Sequence, residues 1–233
     1  VTDAEQQEQD MTRTVAVTGA AGALGQTTVE VLARAGWKVV GIDLAEGPFE
    51  GVDLALGGVN LTDETAMTAA AGRIEAQFGR LDGLVNIAGG FQWEPIGGGE
   101  LATWDRLYAM NVKTTLVASR ALTPLLLASG GAIVNIGAAA SLKAAMGMGA
   151  YAASKAGVAR LTEALAEELK DAGVRVNAVL PSIIDTAANR RDMPDAEFSR
   201  WVTPEALANV VAFLLSPEAS AITGALLPVT GRV

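Results

Sequence analysis

Short, almost wholly apolar runs alternate along this chain with longer segments of helical periodicity, and that alternation limits the possible folds more than any other feature. Thr14–Thr18, Trp37–Ile42, Leu84–Ile87, Ala132–Ile136, Val174–Leu180 and Ala225–Val229 read as strands, with a weaker one over Leu54–Val59. Continuous apolarity is expected of strands covered on both faces, as in a parallel sheet. Helical patterns fill Leu24–Arg34, Thr62–Phe78, Trp104–Leu127 and Tyr151–Lys170, and Pro204 suits the first turn of another helix. The order β, α, β, α implies an α/β fold, a single-domain doubly wound parallel sheet with helices on both faces.

The chain has 233 residues, half of them hydrophobic and 18% charged, so one large core is within reach and global disorder is excluded. No repeat or linker divides it. Residues 13–233 are expected to form one domain, behind a polar, acidic leader over 1–12 expected to be disordered and lacking the basic start and apolar stretch of a signal peptide. Ala121–Leu142 is uncharged and long enough to suggest a membrane span. Pro124, Gly130, Gly131, Asn135 and Gly137 interrupt it, so it reads as a helix end and a buried strand, and no membrane partner is expected.

A formal net charge of -9 argues against a nucleic-acid partner and means that any phosphate must be held locally, by backbone amides. With no Cys and no His, disulfides, thiolate nucleophiles and Cys/His metal sites are excluded, no metal is expected, and the composition fits a reducing cytoplasm. Proton chemistry falls to Tyr, Lys, Asp or Glu.

Between the first strand and first helix lies Thr18-Gly19-Ala20-Ala21-Gly22-Ala23-Leu24-Gly25. Its glycines permit a sharp turn and close approach to a pyrophosphate, and the helix start adds unbonded amides and a positive dipole end. An ordinary βα turn would share these features, but Asp43 stands 18 residues after Gly25 at the end of the second strand. There a carboxylate accepts from the ribose hydroxyls of an adenosine and repels a 2′-phosphate. No Arg or Lys occupies the loop or the two positions after Asp43, which favours NAD(H) over NADP(H). A carboxylate at that position would also serve as a turn cap. Asn86-Ile87-Ala88-Gly89-Gly90, after the fourth strand, offers small residues for a cofactor to pack against.

Tyr151 and Lys155, four apart, share a helix face. A phenol near its ordinary pKa of about 10 is a poor acid–base group at neutrality, and a neighbouring ammonium together with the positive nicotinamide ring favours its ionised form. A core Tyr beside a Lys reaching to the surface gives the same pattern.

With these residues in view, the chain from Arg13 almost to its end resembles the short-chain dehydrogenase/reductase family, which implies a Rossmann-type fold. The resemblance rests on the Thr-Gly loop, Asp43, the Asn-x-Ala-Gly segment at Asn86, Asn111, Tyr151 with Lys155, and Pro181 to Thr186. It implies a catalytic set of Tyr151, Lys155 and Asn111, with Asn111 holding a helix kink and a water of the proton relay, Lys155 also binding the nicotinamide ribose, and Thr186 binding the carboxamide. Gly19, Ala21, Gly22, Ala23, Leu24, Gly25, Asp43, Asn86, Ala88, Gly89 and Pro181 would line the cofactor, and Asn60 with Leu61 stands where the family places an adenine-binding Asp. Family resemblance also points to a homodimer or homotetramer through the helices at Trp104–Leu127 and Tyr151–Lys170.

Two positions depart from the family pattern. Ala23 replaces a glycine, and Ala138 stands where a substrate-orienting Ser is usual, with Ser141 three positions late as a catalytic candidate. A branch with this Ala, the quinonoid dihydropteridine reductases, is similar around Gly22–Gly25, Gly36-Trp37, Ala88–Gly90 and in the tail from Leu180 to Trp201. The expectation is hydride transfer between nicotinamide and a small substrate under a lid from Ser182 to Trp201, either a quinonoid dihydropterin-like compound or a carbonyl or secondary alcohol. The alternative is an NAD(H)-binding sensor or scaffold that has lost the catalytic Ser.

Overall fold

The computed structural model describes residues 12–233; most of the leader, residues 1–11, lies outside the described residues. Seven strands form one parallel sheet: β1 (Thr14–Thr18), β2 (Lys38–Ile42), β3 (Leu54–Leu56), β4 (Gly83–Asn86), β5 (Ala132–Ile136), β6 (Arg175–Pro181) and β7 (Leu226–Val229). Their order across the sheet is β3-β2-β1-β4-β5-β6-β7. The helices are α1 (Ala23–Arg34), α2 (Glu64–Phe78), α3 (Leu101–Tyr108), α4 (Thr114–Leu127), α5 (Gly149–Leu169), α6 (Ala187–Asp192) and α7 (Pro204–Leu215).

Alternation along each central strand sends side chains to two separate cores. Val15, Val17, Val39, Val85 and Val134 pack with Val29 and Leu32 of α1 and Leu207, Val211 and Leu214 of α7. Ala16, Val40, Leu84, Ile133 and Val176 pack with Met67 and Ile74 of α2, Leu122 and Leu126 of α4 and Leu165 of α5. Both faces are covered, which is why the strand sequences are apolar at nearly every position. Pro228 lies in β7, the edge strand, where its missing N–H leaves no gap in the ladder.

The element boundaries follow local chemistry. Asp63 caps α2 by accepting from the amides of Thr65 and Ala66 at 2.8 and 3.3 Å, so the helix expected from Thr62 begins at Glu64. Thr203 caps α7 with Pro204 in its first turn. The helix expected over Trp104–Leu127 is instead two helices joined by a π-helical turn, Ala109–Lys113, that contains Asn111. The uncharged stretch divides as expected into the end of α4 and β5.

Candidate active site

β1 and β4 are neighbours from which the chain winds in opposite directions, and the loops leaving their carboxyl ends meet there, where doubly wound sheets hold ligands. Gly19 has φ +70°, and a methyl on it would stand 2.8 Å from the Ala88 nitrogen. One on Gly25 would stand 2.0 Å from the Gly19 carbonyl oxygen. The sharp turn and the approach of the second loop both depend on these two glycines. Gly22 caps α1 without a side chain, and among the described residues the amides of Ala23, Leu24 and Gly25 have no hydrogen-bond partner. Three unbonded amides at the positive end of a twelve-residue helix suit an anion on a chain whose net charge repels one.

Asp43 Oδ2 accepts from the Ala21 amide at 3.0 Å and Oδ1 from the Ala45 amide at 2.9 Å. The carboxylate therefore caps the turn and keeps lone pairs for a ribose hydroxyl, so both roles weighed from sequence are compatible. Thr18 Oγ1 accepts from the amides of Ile87 and Ala88 at 3.1 and 3.3 Å, joining the two loops. Asn86 itself points into the core. Its Nδ2 donates to Asn135 Oδ1 at 2.8 Å and to Ser119 Oγ at 3.1 Å, so it fixes β4 against β5 and α4. Asn60 Oδ1 accepts from the Thr62 amide and hydroxyl, and the Leu61 side chain is buried beneath α2. The exposed Asn60 keeps its Nδ2 and the neighbouring main chain for a ligand.

Tyr151 and Lys155 lie in the first two turns of α5. Lys155 is 6% exposed, and its Nζ donates to the Ile136 carbonyl at 2.8 Å. Burial lowers this ammonium to about 8. The Tyr151 ring packs edge-on against Phe91, centroids 4.9 Å apart, and burial pushes its phenol up to about 12. The Lys155 ammonium by itself does not offset this burial. In the protein chain itself the ammonium is bonded to a main-chain carbonyl, and desolvation dominates at both groups.

The Asn111 carboxamide pairs with Gly90, Oδ1 accepting from its amide at 2.9 Å and Nδ2 donating to its carbonyl at 3.1 Å. Nδ2 also donates to Ser154 Oγ at 2.9 Å, and that hydroxyl donates to the Tyr151 carbonyl at 2.7 Å. The expected kink is thus the π turn, while the Asn111 carbonyl accepts from the Thr115 hydroxyl at 2.8 Å. A methyl on Gly89 would come within 2.6 Å of Asn111 Oδ1 and 3.5 Å of Lys155 Nζ, so this backbone lies directly on both. Ser154 was not foreseen, although its place three residues after Tyr151 puts it on the same helix face.

Ser141 closes a 3₁₀ turn, Ala139–Ser141, that packs on α5. Its hydroxyl is buried with no hydrogen-bond partner, and Ala138 is buried as well. The Ser141 hydroxyl faces the protein here, and serving a substrate would require the side chain to turn outward. Pro181 ends β6, and Thr186 caps α6 by accepting from the Asn189 amide at 3.2 Å. The segment from Ser182 to Trp201, expected as a lid, is internally braced. Arg190 donates to both Asp185 oxygens at 2.5 and 2.7 Å, which holds that carboxyl below its ordinary value, and its guanidinium lies 4.7 Å over Phe198.

Among the described residues no three acidic side chains converge to hold a metal, and no helix is long and apolar enough to cross a membrane. A cavity of about 450 Å³ lies at the opposite end of the sheet, lined by Arg13, Trp37, Asp82, Lys170 and Arg175. Its guanidinium groups are engaged already, Arg13 over Trp37 and Arg175 by the carbonyls of Leu214 and Ser216.

Comparison with known proteins agrees with this geometry. The family described as enoyl-(acyl carrier protein) reductase matches residues 19–231. 2-(S)-hydroxypropyl-CoM dehydrogenase 3 of Xanthobacter autotrophicus is 34% identical, covering 93% of this chain and 94% of its own. D-threitol dehydrogenase of Mycolicibacterium smegmatis is 33% identical over 92% of this chain and 90% of its own. The crystal structure of carveol dehydrogenase from Mycobacterium avium in complex with NAD superposes with a TM-score of 0.83 at 27% identity, covering 94% of this chain and 96% of that one. The chain belongs to the short-chain dehydrogenase/reductase family of oxidoreductases, whose fold holds a nicotinamide cofactor.

Proposed function

We propose that the protein is an NAD(H)-dependent dehydrogenase or reductase that moves a hydride between nicotinamide and the carbon of a small alcohol or carbonyl compound, with Tyr151 exchanging the proton. Lys155 carries this reading. An ammonium with three donors is buried on a single carbonyl acceptor, an arrangement that costs folding stability and makes sense where further acceptors, such as ribose hydroxyls, complete it. The amides of Ala23, Leu24 and Gly25 would hold the pyrophosphate, Asp43 the adenosine ribose, and Thr186 the carboxamide. The bound cofactor supplies or accepts the hydride. Asn111 and Ser154 hold the first turn of α5, and with it Tyr151, in place. The relatives from Xanthobacter and Mycolicibacterium are named for hydroxyl-bearing substrates, which supports an alcohol or carbonyl; they lend nothing to the dihydropterin resemblance of the tail. NADH consumption against a carbonyl panel and a chemically generated quinonoid pterin tests the assignment.

The preference for NADH over NADPH follows from charge. A 2′-phosphate beside Asp43 meets a carboxylate whose oxygens are already fixed by Ala21 and Ala45. Wild type should favour NADH in kcat/KM by at least about tenfold, and Asp43→Ala with Leu44→Arg should erase or invert the ratio. Equal kcat/KM for the two cofactors in wild type would defeat the assignment.

Ala138 and the buried Ser141 hydroxyl favour one other reading, a sensor or scaffold that binds NAD(H) without turnover. Tight NADH binding with no oxidation by any compound of the panel would establish it instead.

Self-association through α4 and α5 is also proposed. The solvent side of α5 carries Ala153 and Ala164, and that of α4 carries Pro124 and Leu127. Light scattering at micromolar concentration should report a dimer or tetramer, and a monomer would contradict this. A cytoplasmic enzyme fits a chain without cysteine.

A further inference from the structure

The segment after Gly90 alternates in the opposite sense to an ordinary surface loop. Its polar side chains are tied to the protein: the Arg106 guanidinium donates to Gln92 Oε1, and the Glu94 carboxylate accepts from the Glu100 amide at 3.2 Å and the Thr103 hydroxyl at 3.3 Å. Phe91 and Trp93, the alternate residues, are 55% and 53% exposed. Two large rings turned outward while their polar neighbours turn inward oppose the normal burial preference, and a local rule broken in this way marks a working surface.

The rings are held firmly. Phe91 stands edge-on to the Tyr151 ring with an interplanar angle of 88°. Trp93 Nε1 donates to the Met146 carbonyl at 3.0 Å, and the Glu94 amide donates to the Gly147 carbonyl at 2.7 Å. Gly147 has φ +74°, and a methyl there would lie 2.2 Å from the indole, so the backbone is pressed against the ring. The exposed Met146 side chain borders the same surface. This surface begins at the ring of the proton-exchanging residue, so a substrate whose oxygen reaches the phenol lays its remaining bulk along it. Arg106 is engaged by Gln92 and Arg190 by Asp185, so neither guanidinium is aimed at a substrate carboxylate.

We propose that Phe91 and Trp93 form a specificity platform for an uncharged apolar ring, making the substrate a neutral alicyclic secondary alcohol or its ketone rather than a polyol or hydroxy acid. The inference rests on the dehydrogenase reading above. In the oxidative direction the carbinol C–H leaves as hydride to NAD⁺, the hydroxyl proton passes to the Tyr151 phenolate, and the C=O bond forms.

The test measures NAD⁺-dependent oxidation of cyclohexanol, 2-propanol, erythritol and lactate by wild type, Trp93→Gln, Phe91→Leu and Tyr151→Phe. Trp93→Gln removes the ring but keeps an N–H for the Met146 carbonyl, and Phe91→Leu keeps apolar volume beside Tyr151. Wild type should favour cyclohexanol over erythritol and lactate by about tenfold or more in kcat/KM. The cyclohexanol to 2-propanol ratio should fall about tenfold in Trp93→Gln, chiefly through KM, and several-fold in Phe91→Leu, as expected for losing part of a ring's burial. A wild type that prefers erythritol or lactate, or aromatic variants that lower both monoalcohols in proportion, overturns the platform. If erythritol is the preferred substrate and Tyr151→Phe abolishes its oxidation, the platform alone falls; if nothing is oxidised, the dehydrogenase reading falls and takes the platform with it.

Discussion

Tyr151→Phe should retain the fold and NADH affinity while losing about 10²–10⁴-fold in turnover, the usual contribution of a positioned acid–base group. The substitution deletes one oxygen and keeps the ring, so the edge-on contact with Phe91 and the bond from Ser154 to the residue 151 carbonyl both survive. The pH profile adds a second check. Burial holds the phenol up at about 12, so at neutral pH it is a proton donor, suited to reduction. Alcohol oxidation needs the phenolate, and its rate should climb with pH, close to tenfold per unit at first. The positive nicotinamide ring favours the phenolate, so the rise should level off below 12. Undiminished turnover in the Phe variant, or an oxidation rate that falls with rising pH, would remove Tyr151 from the mechanism.

Lys155→Met should weaken NADH by about 10–100-fold, the range for losing a charged hydrogen-bond donor, and should nevertheless stabilise the cofactor-free protein. Burial lowers the folded-state value from 10.5 to about 8, a cost of about 3 kcal/mol at neutral pH. The Met variant leaves the Ile136 carbonyl without its partner, which returns about 1 kcal/mol or more of that gain. Below pH 8 the folded and unfolded chains both carry the proton and the cost is felt in full. Between 8 and 10.5 the unfolded chain binds more protons than the folded one, so the stability of wild type rises with pH in this window. The Met variant should therefore melt several degrees higher at pH 7, with the gap narrowing at pH 10. A variant that melts lower at pH 7, or a gap independent of pH, would show that Lys155 is not held as a costly buried charge.

The parallel sheet and its strands were legible because burial on both faces writes itself into every strand, as in Val15, Ala16 and Val17, which face two cores in turn. The glycine loop was legible because its requirements are local. The break in the helix at Ala109–Lys113 was legible only through the family resemblance at Asn111, because what holds Asn111 there is Gly90, 21 residues away in sequence. Asn86 looked like a loop residue beside the cofactor, but its partners are Ser119 and Asn135, which no local pattern brings near it. Ser141 is a candidate because it stands three positions after Ala138, and its buried hydroxyl shows how little nearness along the chain says about direction. The outward rings of Phe91 and Trp93 became meaningful only when Gln92 and Glu94 were seen to be occupied.

The Thr18 hydroxyl has a mechanical consequence. One half of the sheet winds away from β1 and the other from β4, and above their shared border this single oxygen receives two amides from the far side. A dinucleotide running from Asp43 across the glycine loop to Lys155 would straddle the same seam, gripping one half by its adenosine and the other by its nicotinamide. Cofactor affinity and cohesion of the halves are then one thermodynamic quantity, and mutations that loosen the seam far from any reacting atom should surface first as weakened NADH binding.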